Sequence, residues 1–150
     1  MLTSPFHRSV FISDIIRILN SGAEFYREGI RVTCSEHVIA MYTRMLEEKQ
    51  QAVVELLPHA KPDLAANQKQ SDWLIDIERR YTSFTSQLSE QHDLSFITHL
   101  VKLESQIVDN LDAVLDTEQS QECAQTVRKI RARMIQCKEE MLSLKQAKAI

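Results

Sequence analysis

Apolar residues recur every three to four positions along most of this chain, which is the pattern of helices that bury one face. The pattern predicts five helical segments separated by short polar junctions. We place them at about Ser4–Arg31, Thr33–Leu57, Gln68–Ser89, Asp93–Leu115, and from the Asp116–Glu118 junction to about Lys145. Short junctions favour antiparallel neighbours, so the chain is predicted to be a single all-α bundle over residues 1–150.

Helix-capping residues and prolines mark the predicted ends of these segments. Ser4-Pro5 is suited to the first turn of a helix, although the first segment could also begin near Ser9. Thr33 to Glu36 has the spacing of a capping box, which predicts the start of the second helix. Pro58–Asn67 contains two prolines and is long enough to be a crossover between two helical hairpins.

Three charged residues interrupt the apolar stripes at their centres. Glu104 lies in the stripe of the fourth segment, Lys49 in that of the second, and Lys138 in that of the fifth. A buried carboxylate without a partner costs several kcal/mol, so Glu104 must be paired with a metal ion or with a cation of the chain. We predict a buried polar cluster of Glu104 with Lys49, Lys138 or both. The alternative for each lysine is an ammonium that reaches solvent along its apolar stem.

The composition of the chain indicates which classes of molecule it is expected to bind and which compartment it is expected to occupy. The 150 residues include 2 Gly and 3 Cys, and the net charge is −3, so no general affinity for nucleic acid is expected. The basic residues of the fifth segment scatter around the helix and are interpreted as solvated surface; they are Arg128, Lys129, Arg131 and Arg133. Free cysteines without a C-x-x-C motif are typical of a reducing cytoplasm.

Neither a membrane location nor a common catalytic motif is expected. The first twenty residues carry charges that a signal-peptide core lacks, and no apolar run approaches the roughly 18 residues of a membrane span. No two of the five histidines are three or four positions apart, and no glycine-rich phosphate-binding loop is present. We therefore assign no catalytic residue.

Three segments resemble the ferritin-like superfamily, in particular small stand-alone rubrerythrin-related bacterial bundles of unknown function. They are Ile12–Tyr26, Met45–Leu56 and Lys102–Leu115, and the resemblance extends over roughly residues 12 to 145. It implies an antiparallel four-helix bundle with one long crossover, for which Pro58–Asn67 is the candidate, and here with an additional helical segment.

Catalytic members of that superfamily hold two iron ions with a Glu on each of two helices and Glu-x-x-His on each of the other two. This chain has no Glu-x-x-His. Its nearest equivalent, Glu48 to Gln51, ends in Gln, and an amide is a poor iron ligand beside imidazole. The metal site is therefore predicted to be degenerate.

The favoured interpretation is a non-enzymatic bacterial protein of structural or interaction type, without a cofactor, and cytoplasmic. The resemblance implies a homodimer and, by family analogy, a role in stress physiology. The alternative is a metal-binding or redox protein of the rubrerythrin or ferritin type, with iron or manganese held by Glu24, Glu48 and Glu104. A regulatory helical adaptor is a third hypothesis.

Overall fold

A computed structural model describes residues 11–33, 35–60, 72–88, 95–117 and 119–148, and within these ranges it contains helices and no strand. The helices are α1 (Ile12–Val32), α2 (Glu36–Leu56), α3 (Asp72–Gln87), α4 (Ser95–Leu115) and α5 (Gln121–Lys148). A short 3-10 turn, Leu57–His59, follows α2. The all-α prediction is confirmed.

The structure describes the starts of α1 and α2, and the cap of α2 differs from the predicted one. Phe11 has an extended backbone, so α1 begins at Ile12; the predicted starts at Ser4 and Ser9 lie outside the described residues. Thr33 belongs to the end of α1, where its N–H donates to the carbonyl of Gly29. It is therefore Ser35, and not Thr33, that caps α2, and its hydroxyl accepts the N–H of Val38.

The helices pack in a cycle. α1 packs against α2, α2 against α5, α5 against α4, and α4 against α1. α3 packs mainly on α1, outside this cycle. The connections from α1 to α2 and from α4 to α5 are short, so each of these pairs is an antiparallel hairpin.

The core contains the predicted stripes and a larger aromatic cluster than they suggest. On α5 every apolar residue of the predicted stripe is buried, namely Cys123, Val127, Ile130, Met134 and Met141. On α1 the buried face also includes Ile18 and Phe25. The Phe25 ring lies 5.0–6.2 Å, centroid to centroid, from five other rings, those of Tyr26, Tyr42, Tyr81, Phe84 and Phe96. This cluster joins α1 to α2, α3 and α4.

The predicted crossover loop is described only at its beginning. Pro58 lies in the 3-10 turn, and the part of the loop from Lys61 onward lies outside the described residues. Among the helices that the structure describes, none is long and apolar enough to cross a membrane.

Candidate functional site

Glu104 is the centre of a buried polar cluster to which four helices contribute. Its carboxylate is supplied by α4 and is 2 % exposed. Lys49 of α2 donates to Oε1 at 2.7 Å. Tyr26 of α1 and Tyr81 of α3 both donate to Oε2, at 2.6 Å and 2.7 Å. Both carboxylate oxygens are thus hydrogen-bonded, which offsets much of the cost of burying the charge.

Lys49 is held in this cluster by more than its ion pair. The residue is 0 % exposed, and its ammonium lies 5.7 Å and 5.9 Å from the ring centroids of Tyr26 and Tyr81. These distances are within the range in which an aromatic ring attracts a cation. The lysine therefore does not reach solvent along its stem, and the interpretation of a buried Lys–Glu pair applies to it.

Gly22 provides the space that the Lys49 side chain occupies. A Cβ atom at Gly22 would lie 2.7 Å from Cε and 2.8 Å from Cδ of Lys49, and 2.8 Å from the hydroxyl oxygen of Tyr81. Real Cβ atoms essentially never come this close to another heavy atom. The lysine stem and the Tyr81 hydroxyl thus pack directly against the backbone of α1.

The two phenols of the cluster are donors over the ordinary pH range. Burial, followed by the negative charge of Glu104, raises the pKa of Tyr26 and of Tyr81 well above the usual value for a phenol. Burial also raises the pKa of Tyr42 to about 12. Tyr26 and Tyr81 therefore stay protonated and donate to the carboxylate as neutral groups.

Lys138 does not join the cluster. Its ammonium donates to the Ser105 hydroxyl at 3.0 Å, and the residue is only half-buried. The neighbouring Cys137 is fully buried instead and takes the core position between Met134 and Met141. The prediction that placed Lys138 on the core face is wrong, because the α5 stripe passes through the residue before it.

Glu48 belongs to a second ionic network, between α2 and α5, that the sequence did not reveal. Its carboxylate is 2 % exposed and is bound by Arg133 of α5 and, at 3.4 Å, by Arg44. Arg133 also binds Glu55, and Arg44 pairs with Glu140 at 3.3 Å. A heptad spacing of Glu48 and Glu55 on one face of α2 was the available signal.

The basic residues of α5 include members of ion pairs. Arg133 is 26 % exposed and holds the two α2 carboxylates, and Arg131 pairs with Asp112 of α4. The interpretation of this cluster as solvated surface is therefore wrong for Arg133, whose guanidinium cross-links two helices.

The three candidate metal ligands lie in different surroundings. The Glu24 side chain is 76 % exposed and pairs with Arg27 on the surface of α1. Glu48 is held by two arginines, and Glu104 by an ammonium and two hydroxyls. Within the described ranges no group of three or more His, Cys, Asp or Glu residues could hold a metal ion.

The two described cysteines, Cys123 and Cys137, are both buried. Burial raises the pKa of Cys137 to about 11, against which the positive charge of Arg44 acts only in part. A thiol with so high a pKa is a poor nucleophile at neutral pH. Cys34 lies outside the described residues.

A cleft of about 530 Å³ lies between α3 and α4. Carboxylates face it from both sides, Asp72 and Asp76 from α3 and Asp109 from α4. The buried Oε1 atom of Gln106, which also lines the cleft, has no hydrogen-bond partner among the described residues. The cleft thus separates one side of the first half of α3 from α4, whereas Leu74, Ile77 and Tyr81 are buried in the core.

Comparison of the chain with protein-family models, with curated proteins and with solved structures gives no match.

Proposed function

We propose that this chain is a non-enzymatic helical bundle of the ferritin-like type that acts as a structural or interaction protein. The observation that carries the proposal is the ammonium of Lys49, 2.7 Å from the one carboxylate that α4 directs into the core. In this proposal Lys49 supplies the positive charge that a metal ion supplies in the catalytic members of the superfamily. The Tyr26 and Tyr81 hydroxyls donate hydrogen bonds to the other carboxylate oxygen.

The packing of the helices supports the ferritin-like part of the proposal. Two hairpins, α1–α2 and α4–α5, pack on each other through α2 with α5 and through α1 with α4. A four-helix bundle with one crossover has such a cycle of neighbours. The crossover in this proposal extends beyond the predicted Pro58–Asn67 loop to all residues between α2 and α4, 57–94, and α3 is the additional helix within it.

Analysis of metal content tests the proposal. Protein purified without chelator is expected to contain far less than one iron or manganese ion per chain, because a fixed ammonium repels a cation from Glu104. Near-stoichiometric metal that is lost in Glu104→Gln, but kept when the exposed Glu47 is changed in the control Glu47→Gln, would refute the proposal in favour of the metal-binding alternative.

We propose further that the protein is a cytoplasmic homodimer, as in small bundles of the superfamily it resembles. Sedimentation equilibrium over a range of concentrations measures the mass directly. A mass of one chain at all concentrations would contradict the dimer and would leave the proposal about Lys49 unaffected.

A further inference from the structure

α3 has fewer buried side chains than α1 or α2. Three of its 16 residues are buried, namely Leu74, Ile77 and Tyr81. In α1 nine of 21 residues are buried, two of them glycines, and in α2 seven of 21, two of them charged. Burial of apolar surface is the main favourable contribution to folding, so the free energy that holds α3 in place is smaller.

The remaining helices do not need α3 to remain packed. α1, α2, α5 and α4 each pack against the next in a closed cycle. Removal of α3 would therefore leave each hairpin with its partner. Such a cycle is the condition for one helix to open without unfolding of the others.

The first half of α3 is separated from α4 by the cleft of about 530 Å³. Asp72 and Asp76 of α3 and Asp109 of α4 line this cleft, and all three residues are exposed. Exposed charges interact weakly in water, so this part of the interface contributes little that would hold α3 against α4.

Polar contacts to α4 and to α1 also hold α3. The Tyr81 hydroxyl donates to Glu104 Oε2, and the Glu78 carboxylate binds Arg17 at 2.9 Å. The second contact is partly exposed and is therefore weak. If Tyr81 leaves, Glu104 keeps the hydrogen bonds from Lys49 and Tyr26, so the buried carboxylate is not left without a partner.

We propose that α3 separates as a unit from the other four helices while they stay folded. The Tyr81–Glu104 hydrogen bond is the contact that chiefly stabilises the closed state against this opening. The open state uncovers the rings of Phe25 and Phe96, which α3 covers with Tyr81 and Phe84. It also frees one lone pair of Glu104. The opening is independent of the proposed function, because it follows from the packing of α3 alone.

Native-state hydrogen exchange of the full chain at low denaturant concentrations tests this proposal. The amides of α3 are expected to exchange through an opening that is more frequent than global unfolding and depends less on denaturant, since it exposes α3 and the rings it covers but not the rest of the core. The amides in the centres of α1, α2, α4 and α5 should exchange only by global unfolding.

Two matched variants test whether the Tyr81–Glu104 hydrogen bond limits the opening of α3. Tyr81→Phe removes one hydrogen bond to a carboxylate and should raise the frequency of α3 opening roughly tenfold. Tyr26→Phe removes the bond to the same oxygen from α1, which stays docked in both states, and should not favour α3 opening. Equal exchange free energies for α3 and α1 in the wild-type protein would overturn the proposal even if a variant fails to fold. An equal effect of the two variants on α3 opening would overturn the role of Tyr81.

Discussion

At the scale of single residues, the main feature is that one buried charge determines the placement of three other polar side chains. Glu104 requires donors, and Lys49, Tyr26 and Tyr81 provide them from three other helices. A buried ion pair adds little net stability, but the loss of one partner leaves the other charge uncompensated. The cluster therefore restricts which packings of the helices are possible.

Glu104→Leu is expected to destabilise the protein by about 3–5 kcal/mol, because it leaves the Lys49 ammonium buried without a counter-charge. Addition of Lys49→Met should recover part of this loss, since the pair is then replaced by apolar side chains. The free energy of unfolding in urea, measured for both single variants and the double variant, gives the coupling. Glu104→Leu combined with Lys138→Met is the control and should show no coupling.

The raised pKa values of the tyrosines predict a loss of stability in alkali. Above about pH 10 the unfolded chain releases phenolic protons that the folded protein retains. Tyr26, Tyr42 and Tyr81 should therefore each lower the free energy of unfolding by about 1.4 kcal/mol per pH unit, up to the pKa of the folded state.

Absorbance of tyrosinate and far-ultraviolet circular dichroism, followed together from pH 9 to 13, check this prediction. We expect tyrosinate to appear only as helical structure is lost. Titration of Tyr26 and Tyr81 near pH 10 in a protein that is still helical would contradict their burial at the carboxylate. Tyr42→Phe should make the fall of stability between pH 10 and 12 less steep.

At the scale of elements, α2 is held on both sides by charged groups. It directs Lys49 towards α4 and Glu48 towards α5, although the two residues are adjacent in sequence. Adjacent positions on a helix are about 100° apart, so this pair can serve two interfaces at once. On α5 the residue that meets these carboxylates is Arg133, whose guanidinium binds Glu48 and Glu55 together.

Arg133→Met should destabilise the protein by about 1–3 kcal/mol, because the buried Glu48 then keeps only the longer contact with Arg44. Arg133→Lys should recover little, since a single ammonium cannot bind both carboxylates in the fork geometry. Urea unfolding measures both variants, with the exposed Arg128→Met as the control. Equal stability of the Arg133→Met and Arg128→Met variants would contradict the role given to Arg133.

The hydrophobic period was sufficient to predict five helices and most of the core faces of α1 and α5, and it identified Glu104 and Lys49 as inward residues. It could not choose between Cys137 and Lys138, because positions three and four residues after Met134 lie about 60° and 40° to either side of it, and the period is compatible with both. It also missed Arg133, since the period gives the direction of a side chain on its own helix and not the identity of the helix it meets. The roles of Tyr26 and Tyr81 were hidden because an aromatic residue fits an apolar stripe.

At the scale of the whole molecule, the described core is continuous from α1 to α5, and the cysteines lie within it. Cys123 and Cys137 are 3 % and 0 % exposed. Their reaction with a thiol reagent requires the protein to open. The rate at which these thiols react therefore reports on opening of the four-helix cycle. The hydrogen exchange of the α3 amides reports on opening of α3 alone.

Cys123 and Cys137 are expected to react with a disulfide reagent at the rate of unfolding, and far more slowly than in urea. The Cys34→Ser variant isolates the two thiols, and the course of labelling in native buffer and in denaturant is compared. Fast labelling of the folded variant would show that α5 leaves the bundle readily, which would contradict the packing cycle.

Gly22 couples the substitutions that this interior tolerates. A Cβ atom at position 22 would lie 2.7 Å from the lysine stem and 2.8 Å from the Tyr81 hydroxyl, so a larger residue there requires both groups to move. The lysine stem is flexible, but movement of its ammonium and of the Tyr81 hydroxyl would take two donors away from Glu104. The glycine therefore constrains evolution of the polar cluster although it makes none of its hydrogen bonds.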